Sequence, residues 1–354
     1  MKIKFLALIT SVVFALNCTN APQQGVNTTT AKDPNRKLKI GFAMDTLKEE
    51  RWQRDHDAFK AHCVKLSVEC IITVADNKAD KQANDVENLL TQGIDALVIA
   101  PHDATQAASM VDKAKAQGVP VISYDRLINS DKLDLYISHQ VPVIGRKIAE
   151  YALSKVPEGN YVMVYGAGTD NNAVIMKKEQ LAVLQPAIDN QKIKIVAEQF
   201  IPDWNPDSAL KMAENALTQN GDNVKAFVVS NDGMAGGVIS ALKNKGLQGK
   251  ILVTGQDAAL DALQRVAEGT QSMTIYKAII PLANGALEAA IKLAKGETVA
   301  STPFTTPSGK QVPAVLLEVT VVDKANLMDT VVKDGYAKFE DVYKNVPPAE
   351  RPKQ

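Results

Sequence analysis

Two hydrophobic patterns alternate along this chain from residue 38 onward. Short continuous apolar runs, such as the one at 96–101, are typical of strands that are buried on both faces. Between these runs lie longer segments in which apolar side chains recur every three or four residues, as Trp52, Phe59 and Cys63 do within 51–66. That spacing places one side of a helix against a core. The alternation therefore predicts strands joined by crossover helices, which is the pattern of parallel sheets.

These strand and helix units fall into two series, which end near 138 and near 277. Two series of this size predict an α/β protein with two doubly wound parallel-sheet lobes. The segments after 277 are too small for a third core, so we assign them to the first two. The predicted ranges are 38–138 plus 278–311 for the N-terminal lobe, 139–277 plus 312–340 for the C-terminal lobe, and a flexible tail at 341–354. A chain that crosses between lobes more than once favours hinge closure.

The first residues have the pattern of an export signal. Lysines at the start precede an apolar run at 5–16 that is too short to span a bilayer. The residues before Cys18 resemble a bacterial lipoprotein cleavage box, although Asn17 replaces the usual small residue. We expect 1–18 to be a lipoprotein signal segment with Cys18 lipidated; the alternative is simple cleavage and secretion. The polar stretch 19–37 is predicted to be a flexible tether to the membrane.

Two further cysteines, Cys63 and Cys70, leave two interpretations open. In an exported protein such a pair can form a disulfide. Cys63 also lies on the apolar face of its predicted helix, where a buried free thiol is common. Neither interpretation makes them catalytic, because no histidine accompanies them in an evident nucleophile arrangement.

Composition and motifs exclude several classes of function. The 40 Lys and Arg residues balance 40 Asp and Glu residues, so the chain has no basic field and we expect no nucleic-acid partner. The sequence lacks the glycine-rich motifs that cradle phosphates and dinucleotides. Its four histidines do not show metal-site spacing. We therefore predict no metal site and no cofactor.

Polar and aromatic side chains recur where predicted strands end and where the following helices begin. Ligands of open α/β sheets bind just beyond the carboxyl ends of strands. Each residue also has a simpler explanation: a helix cap, a surface charge or, for Trp52, a place in the core. Together they suit a sugar, because tryptophan faces pack on its C–H surfaces and the polar groups serve its hydroxyls. The candidate ligand-binding residues are Arg51, Trp52, Asp125, Arg126, Asn172, Trp204, Asn231, Asp257 and Lys277.

These residues lie in motifs that resemble the pentose/hexose periplasmic sugar-binding family of bacterial ABC transporters. The resemblance runs from about residue 37 to 335, and some of the motifs point more narrowly to its xylose-binding branch. The motifs are Glu50-Arg-Trp-Gln, Ser123-Tyr-Asp-Arg-Leu-Ile-Asn, Asp170-Asn-Asn-Ala, Ser230-Asn-Asp, Gly255-Gln-Asp-Ala and Met273-Thr-Ile-Tyr-Lys.

The resemblance implies a type I periplasmic binding protein-like fold, in which three crossover strands form the hinge between the lobes. It also implies that the nine candidate residues contact the sugar. The sequence departs from the family at Ser138-His-Gln-Val-Pro-Val143, where relatives usually carry Ser-Phe-Asp-Asn or Ser-Asp-Asn. This departure falls at the expected hinge, so His139 could alter closure or ligand preference.

The expected function is that of a monomeric, membrane-anchored lipoprotein on the periplasmic or outer cell surface. It would bind a monosaccharide, D-xylose before other pentoses and hexoses, and present it to an ABC permease without making or breaking a bond. The alternative is a sugar sensor that presents the bound form to a membrane receptor. An exported sugar-processing enzyme and the effector domain of a transcription factor fit the sequence less well.

Overall fold

The computed structural model describes residues 36–353, apart from the side chain of Asp222. The predicted signal segment 1–18 with Cys18, and the predicted tether up to residue 35, lie outside the described residues. No helix within the described range is long and apolar enough to cross a membrane.

The N-terminal lobe is built on a sheet of seven strands in the order β11-β12-β5-β4-β3-β1-β2. All neighbouring pairs are parallel except β11 with β12, which form an antiparallel hairpin at the edge. The strands are β1 (Lys39–Met44), β2 (Glu69–Val74), β3 (Ala96–Ile99), β4 (Val121–Tyr124), β5 (Leu135–His139), β11 (Thr302–Thr305) and β12 (Gln311–Leu317). The helices are α1 (Glu50–Lys65), α2 (Ala79–Thr91), α3 (Ala107–Ala116) and α9 (Ile279–Ala294).

Helices cover both faces of this sheet, which explains why its central strands are apolar throughout. Side chains such as Phe42 point into a core shared with α1 and α9, while neighbours such as Ala43 point into a core shared with α2 and α3. Continuous apolar runs are expected where a parallel sheet is buried on both sides.

The C-terminal lobe has a parallel sheet in the order β7-β6-β8-β9 and an antiparallel pair, β10 with β13. Two backbone hydrogen bonds join the pair to the sheet, from Ser272 to Val253 at 2.8 Å and from Asp257 to Ile275 at 2.9 Å. The strands are β6 (Gly159–Tyr165), β7 (Ile193–Phe200), β8 (Val224–Val229), β9 (Leu252–Val253), β10 (Met273–Lys277) and β13 (Val319–Asp323). The helices are α4 (Val141–Lys155), α5 (Asn171–Asp189), α6 (Pro206–Asn220), α7 (Asp232–Asn244), α8 (Leu260–Glu268) and α10 (Phe339–Val342).

The chain passes between the lobes at three places: from β5 to α4, from β10 to α9 and from β12 to β13. The third passage corrects the predicted boundary at 312. Residues 312–317 pair with β5 in the N-terminal lobe, so they do not belong to the C-terminal lobe. The apolar pattern at 315–322 predicts one strand, but Glu318 divides it into two that pair with different lobes.

The end of the chain also differs from the prediction of a flexible tail at 341–354. Val342, Tyr343 and Val346 are buried in a core cluster together with α8 and β13 residues. These side chains cover the outer face of α8, so the C-terminal lobe extends at least to Val346. Proline-rich composition alone was a poor guide here, because three apolar residues suffice to anchor the segment.

Cys63 and Cys70 form a disulfide that joins α1 to β2. Of the two interpretations that the sequence left open, the structure therefore shows the disulfide. Cys63 lies in the last turn of α1, and Cys70 is the second residue of β2.

We expect the double substitution Cys63→Ala, Cys70→Ala to lower the free energy of unfolding by about 2–3 kcal/mol, because a short loop is no longer closed in the unfolded chain. Urea titration with and without reductant measures this effect. Reductant should lower the free energy of unfolding of the unsubstituted protein and leave that of the double variant unchanged. Equal stability of the two proteins under oxidising conditions would show that the bridge carries no such role.

Candidate functional site

A small cavity lies between the lobes, with about 310 Å³ of space free of protein atoms. It is bounded by the carboxyl ends of strands from both lobes and by the helix starts that follow them. All nine residues predicted from the sequence line it, together with three that were not predicted. The lining residues are Glu49, Arg51, Trp52, Asp125, Arg126, Asp170, Asn172, Trp204, Asn231, Gln256, Asp257 and Lys277.

Each lobe brings its residues to the cavity by the same local geometry. In the N-terminal lobe, Asp125 and Arg126 follow β4, and Arg51 lies in the first turn of α1. In the C-terminal lobe, Asn172 lies in the first turn of α5, and Lys277 is the last residue of β10. This is the crevice in which open parallel sheets bind their ligands.

Some of these residues cap a helix or belong to the core and also line the cavity. Asn231 caps α7, since its side-chain oxygen accepts a hydrogen bond from the Met234 N–H at 2.9 Å. Asp170 caps α5 through the Asn172 N–H at 2.8 Å. Trp52 belongs to the N-terminal core and yet lines the cavity. A cap or a core position therefore does not exclude a residue from the site.

The Arg51 guanidinium is the centre of a buried charge cluster. It forms ion pairs with Asp55 at 2.9 Å and Asp125 at 2.8 Å within its own lobe. Across the cleft, its distance to Asp257 is 3.7 Å. The Tyr124 hydroxyl donates a further hydrogen bond to Asp55. Arg51 is thus held in one position without any ligand contact being required.

Arg126 and Lys277 repeat this arrangement. Arg126 pairs with Asp45 at 2.7 Å in its own lobe and with Asp170 at 3.0 Å across the cleft. Lys277 pairs with Asp257 at 2.8 Å on its own side and lies 3.8 Å from Asp125 of the other lobe. The lobes are closed on each other, and cross-cleft charge pairs are part of the contact.

These charges determine the ionisation of Asp125. Burial would raise the pKa of this carboxyl group, but the Arg51 and Lys277 cations more than offset burial and hold its pKa well below the usual range. Burial has the larger effect on Asp170, whose pKa is raised despite the Arg126 cation. Asp125 is therefore the firmly ionised acceptor of the cavity, suited to receive hydrogen bonds from hydroxyl groups.

Several polar atoms around the cavity have no hydrogen-bond partner among residues 36–353. They are Trp204 Nε1, Asn172 Oδ1 and Glu49 Oε2, and each is buried from solvent. An unsatisfied buried polar atom costs about 1–3 kcal/mol, so such atoms are rare unless something outside the chain satisfies them. One donor and two acceptors around a small cavity match a ligand that carries several hydroxyl groups.

The backbone is strained at three of the lining residues. Asp125, Trp204 and Asp257 have φ angles of 57°, 53° and 103°, which L-residues rarely adopt. Strain of this kind costs about 1–3 kcal/mol per residue and collects at ligand sites. At these three positions the unusual backbone conformation coincides with a place in the cavity wall.

Sequence reasoning missed Glu49, Asp170 and Gln256 as wall residues. Asp170 and Gln256 lie inside the motifs Asp170-Asn-Asn and Gly255-Gln-Asp, in which Asn172 and Asp257 are the predicted contacts. Glu49 lies two positions before Arg51, and nothing in the sequence distinguishes it from a glutamate that faces solvent. The described residues contain no group of three or more His, Cys, Asp or Glu side chains that could hold a metal ion.

Comparison with known proteins is consistent with this geometry. A model of the periplasmic binding protein domain matches residues 40–298. The D-xylose-binding periplasmic proteins of Haemophilus influenzae and Escherichia coli are each 41% identical to this chain and cover 87% of it and 93% of their own length. A carbohydrate transporter solute binding protein from Chloroflexus aurantiacus, solved with D-glucose, has 28% identity and a TM-score of 0.80, and covers 86% of this chain and 98% of its own.

The Trp204 ring rests directly on Gly166, where an added Cβ would lie 2.2 Å from ring atoms. We expect Gly166→Ala to push the ring out of its buried position. In a Trp52→Phe background, which leaves one tryptophan, the fluorescence emission of Trp204 should then shift to longer wavelength.

Gly168→Ala is the matched control, because its Cβ would meet Phe200 at an ordinary 3.7 Å. It should leave the emission spectrum unchanged. If both variants keep the original spectrum, the buried position of the Trp204 ring does not require glycine at position 166.

Proposed function

The chain belongs to the periplasmic binding protein family, and on that premise we propose that it binds D-xylose between its lobes and delivers it to an ABC permease. The fold is the type I periplasmic binding protein fold. Its relatives are sugar-binding proteins of transport systems and not enzymes, so this chain is a substrate-binding protein. The identity of the sugar, the hinge closure and the membrane anchor are the parts that we propose.

The observation that carries the proposal is the cavity between the closed lobes. Its residues combine two tryptophans, one from each lobe, with ionised carboxylates, cations and unsatisfied amide and indole atoms. Tryptophan faces suit the C–H surfaces of a pyranose, and each hydroxyl can both donate and accept. A neutral polyol matches this wall better than a charged ligand does, because the cations already have carboxylate partners.

Similarity favours a pentose over larger sugars. The cavity itself is small, since its space free of protein atoms, about 310 Å³, includes space open to solvent. The relatives at 41% identity are named for D-xylose. The structural neighbour that holds D-glucose is less similar in sequence, at 28% identity, so we rank hexoses second.

Closure follows from where the ligand contacts lie. Asp125 and Asn172 belong to different lobes, and the Asn172 amide donates to the Asp125 backbone oxygen at 3.2 Å. A sugar that touches both residues gains its full contacts only when the lobes are together. Its differential affinity for that form shifts the population from open to closed.

The closed form is the species that we expect the permease to recognise. We further propose that the mature protein is a monomer held at the periplasmic or outer face of the membrane through lipidated Cys18. The alternative partner is a membrane sensor, for which the same cleft would serve and only the outer surfaces of the lobes would differ.

Calorimetric titration of the protein from Thr19 onward with D-xylose should show saturable one-to-one binding, weaker for ribose, arabinose, glucose and galactose. Asp125→Asn should reduce xylose affinity at least ~30-fold, about 2 kcal/mol, because an ionised acceptor is lost beside two cations. Asp131→Asn is the matched control, since Asp131 pairs with Lys310 on the exposed surface.

The sugar should be recovered chemically unchanged after prolonged incubation. Turnover of the sugar would contradict the assignment as a binding protein. Failure of every monosaccharide to bind would contradict the proposed ligand class while leaving the fold as described.

A further inference from the structure

His139 lies where the three chain crossings between the lobes come together. It is the last residue of β5, immediately before the first crossing. It pairs in register with Leu317 at the end of β12, which precedes the third crossing. Its ring also lies beside the backbone of Ala278 in the second crossing. A rotation of one lobe on the other must change the surroundings of this side chain.

The ring is buried with little polar contact. His139 is 1% exposed, and neither ring nitrogen has a hydrogen bond of good geometry within residues 36–353, although the Ala278 backbone lies near enough to favour a charge on the ring. A neutral imidazole carries one donor and one acceptor, and leaving both unsatisfied in the interior is costly. Such a ring is tolerated in the closed form but does not stabilise it.

The charged groups around His139 come from three elements. Lys277 at the end of β10 and Arg51 on α1 oppose a positive charge on the ring, whereas Asp125 after β4 favours one. Glu318, which follows β12, is exposed. Burial, assisted by the Lys277 cation, lowers the pKa of His139 to about 3, so in the closed form the ring is neutral at any ordinary pH.

We propose that His139 couples closure of the lobes to pH, so that its protonation favours the open form and weakens binding of the sugar in mildly acidic conditions. The inference rests on the proposed function for its ligand, but the coupling itself concerns only the hinge.

The direction follows from linkage. We expect opening to move Lys277 and the Ala278 backbone away from the ring and to return the ring toward water, where the pKa of a histidine is about 6.5. Closure then releases a proton below that pH. Sugar affinity is at its full value above about pH 6.5 and falls by up to ~10-fold for each pH unit below it, which amounts to ~30-fold at pH 5.

Other groups near the cleft titrate as well, so the test must isolate His139. His102 is bonded to Asp45, which raises the pKa of His102, and Asp203 of the opposite lobe adds to the effect. Closure therefore favours protonated His102. Acid acting through His102 would strengthen sugar binding, which is opposite to the effect proposed for His139.

The pKa of Asp125 lies well below its usual range and that of Arg51 well above it, so neither changes charge between pH 5 and 8. Burial raises the pKa of Glu49 and of Asp170, and this effect is common to all the variants compared.

The experiment compares the dissociation constant for D-xylose at pH 5 and pH 8 in the unsubstituted protein, His139→Phe and His139→Gln. Both substitutions remove the titrating group, and phenylalanine keeps a buried ring. At pH 8 all three proteins should bind sugar. The ratio of the two dissociation constants should be ~10- to 30-fold larger in the unsubstituted protein than in either variant. An equal ratio in all three would overturn the proposal.

A second measurement does not depend on the sugar. NMR titration of the ligand-free protein, with His139→Gln to identify the signal, should give His139 a pKa near 6.5, because the open form returns the ring to water. A ring that stays neutral down to pH 5 in the ligand-free protein would overturn the coupling. If no sugar binds at pH 8 while the ring titrates near pH 6.5, the proposed ligand fails and the coupling stands. If sugar binds normally but the ratio of dissociation constants does not depend on His139, the coupling fails and the proposed function stands.

Discussion

Each buried cation of the cleft has a carboxylate partner in its own lobe and another across the cleft. Arg126 illustrates the arrangement, with Asp45 on its own side and Asp170 opposite. An isolated charge in a protein interior costs several kcal/mol, so a cation that stayed partly buried without a carboxylate partner would oppose opening. Because the own-lobe partners move with each cation, the cross-cleft pairs can separate without leaving an unpaired charge. The hinge closure that we propose depends on this duplication.

The same duplication defines what a ligand has to supply. The cross-cleft pairs of Arg51 and Lys277 are the longer ones, at 3.7 and 3.8 Å, and a hydroxyl group could bridge such gaps. The unsatisfied Trp204 indole and Asn172 amide lie on the same wall. In the closure that we propose, the energetic gain therefore comes more from hydroxyls that complete hydrogen bonds than from direct attraction between the lobes. This favours a neutral, multiply hydroxylated ligand over an ion.

The sequence was most informative where one chemical pattern recurred. Alternating apolar runs predicted both sheets, and the polar residues at strand ends predicted nine side chains that share one cavity. The sequence was least informative where the place of a segment depends on which distant strand it pairs with. The segment 315–322 is apolar except at Glu318 and Thr320, and nothing local shows that Glu318 divides it into strands that pair in different lobes. Glu49 was missed for a related reason, since a glutamate at a helix start has the same local pattern whether it faces solvent or a ligand.

The proposed hinge coupling illustrates how a buried site can become sensitive to pH through a residue that does not line it. Arg51 and Lys277 hold the pKa of Asp125 well below its usual range, so this acceptor of the wall stays ionised near neutral pH. In the coupling that we propose, the titrating group lies outside the wall, at the crossings between the lobes. His139 fits this role, because it is absent from the cavity lining and contacts the crossings. On that proposal, control of closure can change through a single hinge residue while the sugar contacts stay the same.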